Sequence, residues 1–351
     1  MLNKDQVLEA LKEVMDPEIH QNIVDLGMVK NINIIENKIS FTLALTQEGC
    51  PLKTEMKTKA TEELTKIGAT QVDISFGKLS EEEIKKIFPG ADKGPKVLPK
   101  GNIKHIIAVG SGKGGVGKST VVTNLSISLA KLGYKVGVLD ADVLGPNLPI
   151  MFGIDKMAYG DGSMLMPIIN HSVKVMSLGF LMEDQNAPVI WRGPIVSSAI
   201  QELFSLTKWE ELDYLLIDLP PGTGDSMLTV GQSLPLNGSI VVTTPAKVST
   251  SDATKFLKTF EKLNVPILGI VENMSYFIEP VGKVKYCIFG SGGGEEMSRI
   301  LGVPFIGQVP IEPETGNCGN NGLPVSIQYP ESSSAKEFMQ IAEKIVQIVS
   351  C

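Results

Sequence analysis

The run HIIAVGSGKGGVGKSTVVTNLSISLAKLG, His105 to Gly133, leaves this chain few folds to choose from. An apolar strand runs straight into glycines, then into Lys118-Ser119-Thr120, then into an amphipathic helix. Gly112-x-x-x-x-Gly117-Lys118-Ser119 has the spacing of a P-loop. Gly112, Gly114, Gly115 and Gly117, with Lys113 and Val116 between them, let backbone N–H groups close around phosphate oxygens. The N-terminus of the following helix adds the positive end of its dipole. In this reading Lys118 neutralises the β and γ phosphates of ATP, Ser119 offers its hydroxyl to Mg²⁺, and Thr120 completes the cradle.

Short apolar runs separated by amphipathic helices continue downstream: Lys135–Leu139, Val173–Ser177, Tyr214–Asp218, Ser239–Thr243, Ile267–Glu272 and Phe305–Gln308. Near-continuous hydrophobic strands of this kind predict an α/β fold, a mostly parallel P-loop NTPase sheet with helices on both faces. Ligands bind such sheets at the carboxyl ends of the strands, and the polar motifs sit there. Asp140 and Asp142 follow one strand; Asp142 is read as positioning an attacking water and Asp140 as part of the metal shell. Capping the next turn is the alternative for either. Asp218 ends YLLID and opens DLPPGTGD; it reads as the acidic residue that holds Mg²⁺ through water, followed by a switch loop. Asn273 and Pro310 are candidates for the adenine edge and face.

Ahead of this lies a small α+β domain, residues 1–88. Ile39, Phe41, Leu43 and Leu45 alternate with Ser40, Thr42 and Ala44, the period of a half-buried strand, and Glu36-Asn37 suits a two-residue hairpin turn. A helix is expected over Lys4–Met15, strands over Val29–Ile35, Lys38–Leu45 and Gln71–Ser75, and a second helix over Pro51–Ile67. Residues 89–102, PGADKGPKVLPKGN, read as an extended, mobile linker, and residues 103–351 as the ATPase domain. The net charge of −7 argues against electrostatic binding of nucleic acid. No apolar run reaches the ~20 residues of a membrane span. The reading is a cytoplasmic protein with neither nucleic acid nor membrane as partner.

The four cysteines, Cys50, Cys287, Cys318 and Cys351, are far apart and include no Cys-x-x-Cys pair. They read as reduced thiols rather than a disulfide framework. Cys50 falls between a strand end and a helix start, where a thiolate is stabilised, and is a candidate for redox or cluster-transfer chemistry; serving only as a helix-entry residue is the alternative.

SGKGGVGKST, DADVLGPNLP, WRGP, DLPPGTGD, VTTP, VENMSYF, FGSGGGE and QVPIEP follow in that order, and together they resemble the Mrp family of iron–sulfur cluster carrier ATPases. VMDPEI, IVDLGMV and Gly49-Cys50-Pro51 resemble the small iron–sulfur-assembly-associated domain fused ahead of such ATPases. Lys113 is similar to the signature lysine of the deviant Walker A ATPases, which reaches the nucleotide of a partner subunit. The resemblance therefore implies a homodimer with catalytic roles for Lys113, Lys118 and Asp142. It also implies slow ATP hydrolysis that gates transfer of a [4Fe–4S] cluster from an assembly scaffold to apo client proteins. This chain departs from the pattern where many members carry Cys-x-x-Cys: only Cys287 stands there. A cluster needs about four thiolates or equivalents, and two copies of Cys287 supply two. An ATP-gated scaffold without a cluster, and a positioning or partition ATPase, are the competing readings.

Overall fold

The computed structural model describes residues 2–15, 21–45, 53–80, 83, 97–142, 145–160, 164–181, 193–279, 281–282 and 284–350. The chain separates into two compact units, Met1–Gly94 and Pro95–Cys351.

In the first unit the helix Lys4–Leu11 opens with a reciprocal cap: the Asn3 side chain accepts from the Gln6 N–H, and the Gln6 side chain accepts from the Asn3 N–H. The helix stops at Leu11 rather than Met15, because Met15 forms an antiparallel bridge with Asn22 and Val14 accepts from the Ile23 N–H. Strands β1 (Val29–Ile35), β2 (Lys38–Leu45) and β3 (Gln71–Lys78) form a sheet with β2 in the middle. β1 and β2 are antiparallel and joined through Glu36 and Asn37, both at positive φ as a type I′ turn requires. β3 returns parallel to β2 after the helix Lys53–Lys66, and it runs three residues past Ser75. Ile39, Phe41, Leu43 and Leu45 are buried, with Val7, Leu11, Ala60 and Leu64 in the same core.

The second unit is built on eight strands: β4 (Ile103–Ser111), β5 (Val136–Asp140), β6 (Ile168–Asn170), β7 (Val173–Ser177), β8 (Leu212–Asp218), β9 (Gly238–Thr243), β10 (Ile267–Glu272) and β13 (Phe305–Gln308). Their order in the sheet is β13-β10-β9-β4-β8-β5-β7-β6. Every pairing is parallel except β6 with β7. β6 carries no strand pattern in the sequence: it is three residues long, and its hairpin turns on His171 and Ser172 at positive φ instead of on Gly or Asn. A two-residue hairpin, β11 (Phe277–Ile278) with β12 (Lys285–Tyr286), projects beyond β10. The stretch read as a mobile linker is fixed at its far end, where the Leu98 N–H donates to the Ser233 carbonyl at 2.7 Å and its side chain packs on the NTPase core. Among the described residues no helix is long and apolar enough to cross a membrane.

Strand order places β4, and so the loop that follows it, in the middle of the sheet. Parallel register then lines up the acidic residues. Asp140 pairs with Asp218 across β5 and β8, and with Ser177 across β5 and β7. The acids that are far apart in sequence thus meet at one sheet edge beside the loop.

Candidate functional site

The loop between β4 and the helix Lys118–Lys131 walls a cavity of about 400 Å³. Lys113, Gly114, Gly115, Val116, Gly117, Lys118, Ser119 and Thr120 line it, with Asp142 and Pro221 opposite. Gly117, the residue capping the helix, lies at φ +81° and supplies no side-chain cap. The first N–H groups of the helix are therefore left for a ligand, the arrangement that binds phosphate. Gly112 has another task. A Cβ there would come within 2.0 Å of the Asp252 backbone, so this glycine lets the loop lie against the helix Lys247–Lys262.

Lys118 is 6% exposed and its ammonium stands 2.5 Å from Asp218 Oδ1, 3.8 Å from Asp142 Oδ2 and 3.5 Å from Ser119 Oγ. Asp218 is itself 1% exposed. Asp140 lies alongside Asp218, so one ammonium stands among three carboxyl groups and pairs with two of them. Burial, then the neighbouring Asp218, push the Asp140 carboxyl well above the usual carboxylate range. Burial also raises Asp142, to about 6, against the pull of Lys118. This surplus of hard oxygen donors over cations suits a divalent metal such as Mg²⁺. Ser119 and Asp218 are the residues that could hold it.

Asp140 is not placed as a metal-shell residue. Its Oδ2 accepts from the Ser177 hydroxyl at 3.1 Å and its Oδ1 from the Asp142 N–H at 3.2 Å. It is 1% exposed and lies behind Asp142, which it orients. Asn273 and Pro310 do not line the phosphate cavity either. The Asn273 amide donates to the Val116 carbonyl at 2.8 Å, and a Cβ on Gly117 would come 2.1 Å from that nitrogen. Asn273 therefore braces the P-loop from behind. Pro310 lines a second cavity with Phe277, Ile278, Glu312 and Tyr329.

The far wall of the phosphate cavity escaped the sequence reading: Asn147, Ile150 and Met151 on one side, Thr315, Gly316, Gly319 and Asn320 on the other. DADVLGPNLP and the glycines of PETGNCGN were visible signals, but nothing in their spacing names a ligand. Cys318 lies in that second segment, buried, with its thiol pushed up by burial and by Glu314. Cys287 follows β12 and is exposed. Cys50, Cys351, Trp191 and Arg192 lie outside the described residues. No group of three or more His, Cys, Asp or Glu side chains arranged to hold a metal occurs among the described residues.

Residues 102–346 match the family model described as NUBPL iron-transfer P-loop NTPase, and residues 4–75 match that of an iron–sulfur cluster assembly protein. The iron-sulfur cluster carrier protein of Synechocystis is 43% identical over 100% of this chain and 99% of its own length. The iron-sulfur cluster carrier protein of Aquifex aeolicus is 39% identical over 98% of this chain and 97% of its own. Among solved structures, a nucleotide-binding protein from Archaeoglobus fulgidus in complex with ADP is 37% identical, with a TM-score of 0.57 over 68% of this chain and 93% of that one.

Proposed function

This chain belongs to the NUBPL iron-transfer P-loop NTPase family, with an iron–sulfur cluster assembly domain ahead of the NTPase unit, and on that premise we propose that it is an ATP-driven iron–sulfur cluster carrier. The observation that carries the nucleotide half is the buried Lys118 held by Asp218 and Asp142 beneath an uncapped helix N-terminus. Phosphates entering the cavity offer that ammonium more negative charge than the carboxylates do, and the helix N–H groups bind them at the same time. Lys118 turning from Asp218 to the phosphates frees Asp218 to face a metal. Mg²⁺, when bound, neutralises phosphate charge; Ser119 would hold it through its hydroxyl and Asp218 through water. Asp142, oriented by Asp140 through its own N–H, is left to position the attacking water.

Lys113 lines the cavity rim, half-buried, next to phosphates that Lys118 already serves. Its proposed place is on the nucleotide of a second copy, which makes the working form a homodimer. The cargo is a [4Fe–4S] cluster passed to apo client proteins. Cys287, exposed beyond β12, is the proposed thiolate, one from each copy, with Cys50 as a candidate transfer ligand. Cys318 is buried and is not a ligand in this arrangement. Iron and sulfide analysis of anaerobically reconstituted protein tests this. Stoichiometric iron and sulfide with visible absorbance, both lost in Cys287→Ala, support it; metal content that survives the substitution excludes Cys287.

The second reading is an ATP-gated scaffold that holds no cluster. The lack of a Cys-x-x-Cys pair in the sequence favours it, and a protein free of iron after reconstitution, yet hydrolysing ATP, establishes it.

A further inference from the structure

The end of β10 sends two consecutive side chains in different directions. Asn273 reaches the P-loop through the Val116 carbonyl. Glu272, fully buried, reaches the glycine-rich turn after Cys287: its Oε2 accepts from the Gly294 N–H at 2.6 Å and its Oε1 from the Ser275 hydroxyl. Adjacent residues of a strand point to opposite faces, so one short segment can hold two partners at once. Both residues are also fixed through their backbones. The Asn273 N–H donates to the Thr243 carbonyl at 2.8 Å, and the Val309 N–H donates to the Glu272 carbonyl at 2.9 Å.

The Gly294 contact is a helix cap supplied from elsewhere in the fold. The helix Gly293–Leu301 begins after Gly292, which has no side chain to cap it. The Glu272 carboxyl group takes that role, where the helix dipole favours an anion. There is little slack. A Cβ on Gly294 would stand 3.0 Å from Glu272 Cβ, and one on Gly293 would stand 2.3 Å from the Pro245 carbonyl oxygen. Met274 adopts φ +54°, a left-handed conformation that is unfavourable for a non-glycine residue. That turn brings Ser275 back onto Glu272. The cap terminates the segment Tyr286–Ser291, which exposes Tyr286, Cys287, Ile288 and Phe289.

We infer that Glu272 is a positioning residue that couples occupancy of the P-loop, through Asn273, to the placement of the Cys287 segment. A phosphate drawing the P-loop N–H groups inward displaces the Val116 carbonyl. Asn273 follows it or loses its bond, and Glu272, one peptide away, engages or releases the Gly294 cap. The element with two states is the cap, and both sites bias it. This regulation rests on the carrier reading for its purpose, because Cys287 is the thiolate that reading assigns to the cluster.

The test is peptide-resolved alkylation of Cys287 by iodoacetamide in the full-length chain, with and without Mg–ADP. ADP fills the P-loop but lacks the γ-phosphate on which the proposed dimer closes. The expected result is a Cys287 rate that changes about fivefold or more on ADP binding, the lower range of measured couplings. Glu272→Ala removes the change while ADP still binds, and Glu272→Gln, which keeps an acceptor for the Gly294 N–H, restores it. Alkylated wild type should also bind ADP with a changed affinity, and alkylated Glu272→Ala should not. A wild-type rate indifferent to ADP, or a full response retained in Glu272→Ala, overturns the proposal. If Glu272→Ala fails to fold, Ser275→Ala, which removes only the hydroxyl on Oε1, must weaken the response; an unchanged ratio there also overturns it. Alkylation needs no cluster. A protein that shows the coupled rates but binds no iron therefore refutes the carrier reading alone, and one that binds iron without them refutes the coupling alone.

Discussion

Replacing Lys118 should destabilise the nucleotide-free protein more than replacing Asp218, although the two form one ion pair. The ammonium stands 2.5 Å from Asp218 and 3.8 Å from Asp142, with side chains 6%, 1% and 16% exposed in that order. Lys118→Met strands Asp218 in a nearly dry site beside Asp140 and Asp142. Leaving a buried charge without its partner costs about 3–5 kcal/mol. Asp218→Asn keeps the shape, leaves Lys118 with Asp142, and removes the negative charge that helps raise Asp140. Its cost should be about 1–2 kcal/mol, since the ammonium keeps a partner. The assay is urea unfolding of each variant without nucleotide and with a chelator, followed by tryptophan fluorescence. Trp191 and Trp209 both fall in the second unit, so the signal reports that unit and not the first. Equal losses, or a larger loss in Asp218→Asn, would refute the view that a single ammonium balances the acidic cluster.

Lys113→Ala should lower ATP hydrolysis at least about 100-fold while leaving ATP binding close to wild type, because a cation supplied in trans acts on the transition state; steady-state turnover beside calorimetric binding checks it. Asp142→Asn should stabilise the nucleotide-free protein at pH 7 by about 1–2 kcal/mol, after discounting for solvent at its exposed side, while abolishing hydrolysis. The folded Asp142 titrates near 6 against an ordinary 3.8, so the folded state holds its proton more tightly. Its stabilising contribution is complete below the ordinary value and is lost as pH rises through 6. The gap between wild type and Asp142→Asn, measured by denaturant melts from pH 7.5 down to pH 4.5, should therefore close. Cys318→Ala should leave the iron content of reconstituted protein unchanged, whereas Cys287→Ala should remove it; iron assays on the two variants separate a buried thiol from a ligand.

Much of this architecture was legible in the sequence, for reasons that differ by element. The limits of β7, β10 and β13 coincide with the predicted ones, most plainly for β10, whose ILGIVE is apolar up to its closing Glu272 and buried along nearly its whole length. The P-loop was legible because its glycines and Lys118 are constrained by one local geometry. The role of Asp140 was not, since a carboxylate at a strand end reads alike whether it faces metal or, as here, Ser177 and the Asp142 N–H. The contact of Asn273 with the P-loop was illegible for a similar reason: its amide serves the Val116 carbonyl across 157 residues of sequence, a partner that no local pattern predicts. The end of the first helix was misjudged because Val14 suits a helical face as well as the extended backbone that the Met15–Asn22 bridge imposes. Glu272 gave no signal at all, because the Gly294 N–H that it caps belongs to a helix N-terminus brought beside it only once the chain has folded.

Cluster transfer tests the central claim most directly. Anaerobically reconstituted protein is mixed with an apo iron–sulfur protein, and the recipient's cluster is followed with ATP–Mg²⁺, with ADP, and without nucleotide, for wild type and Lys118→Ala. The account predicts one cluster for every two chains, passed to the recipient at a rate that depends on ATP in the wild type and not in the variant. A chain that takes up no cluster, or that delivers one equally fast with and without nucleotide, would contradict it.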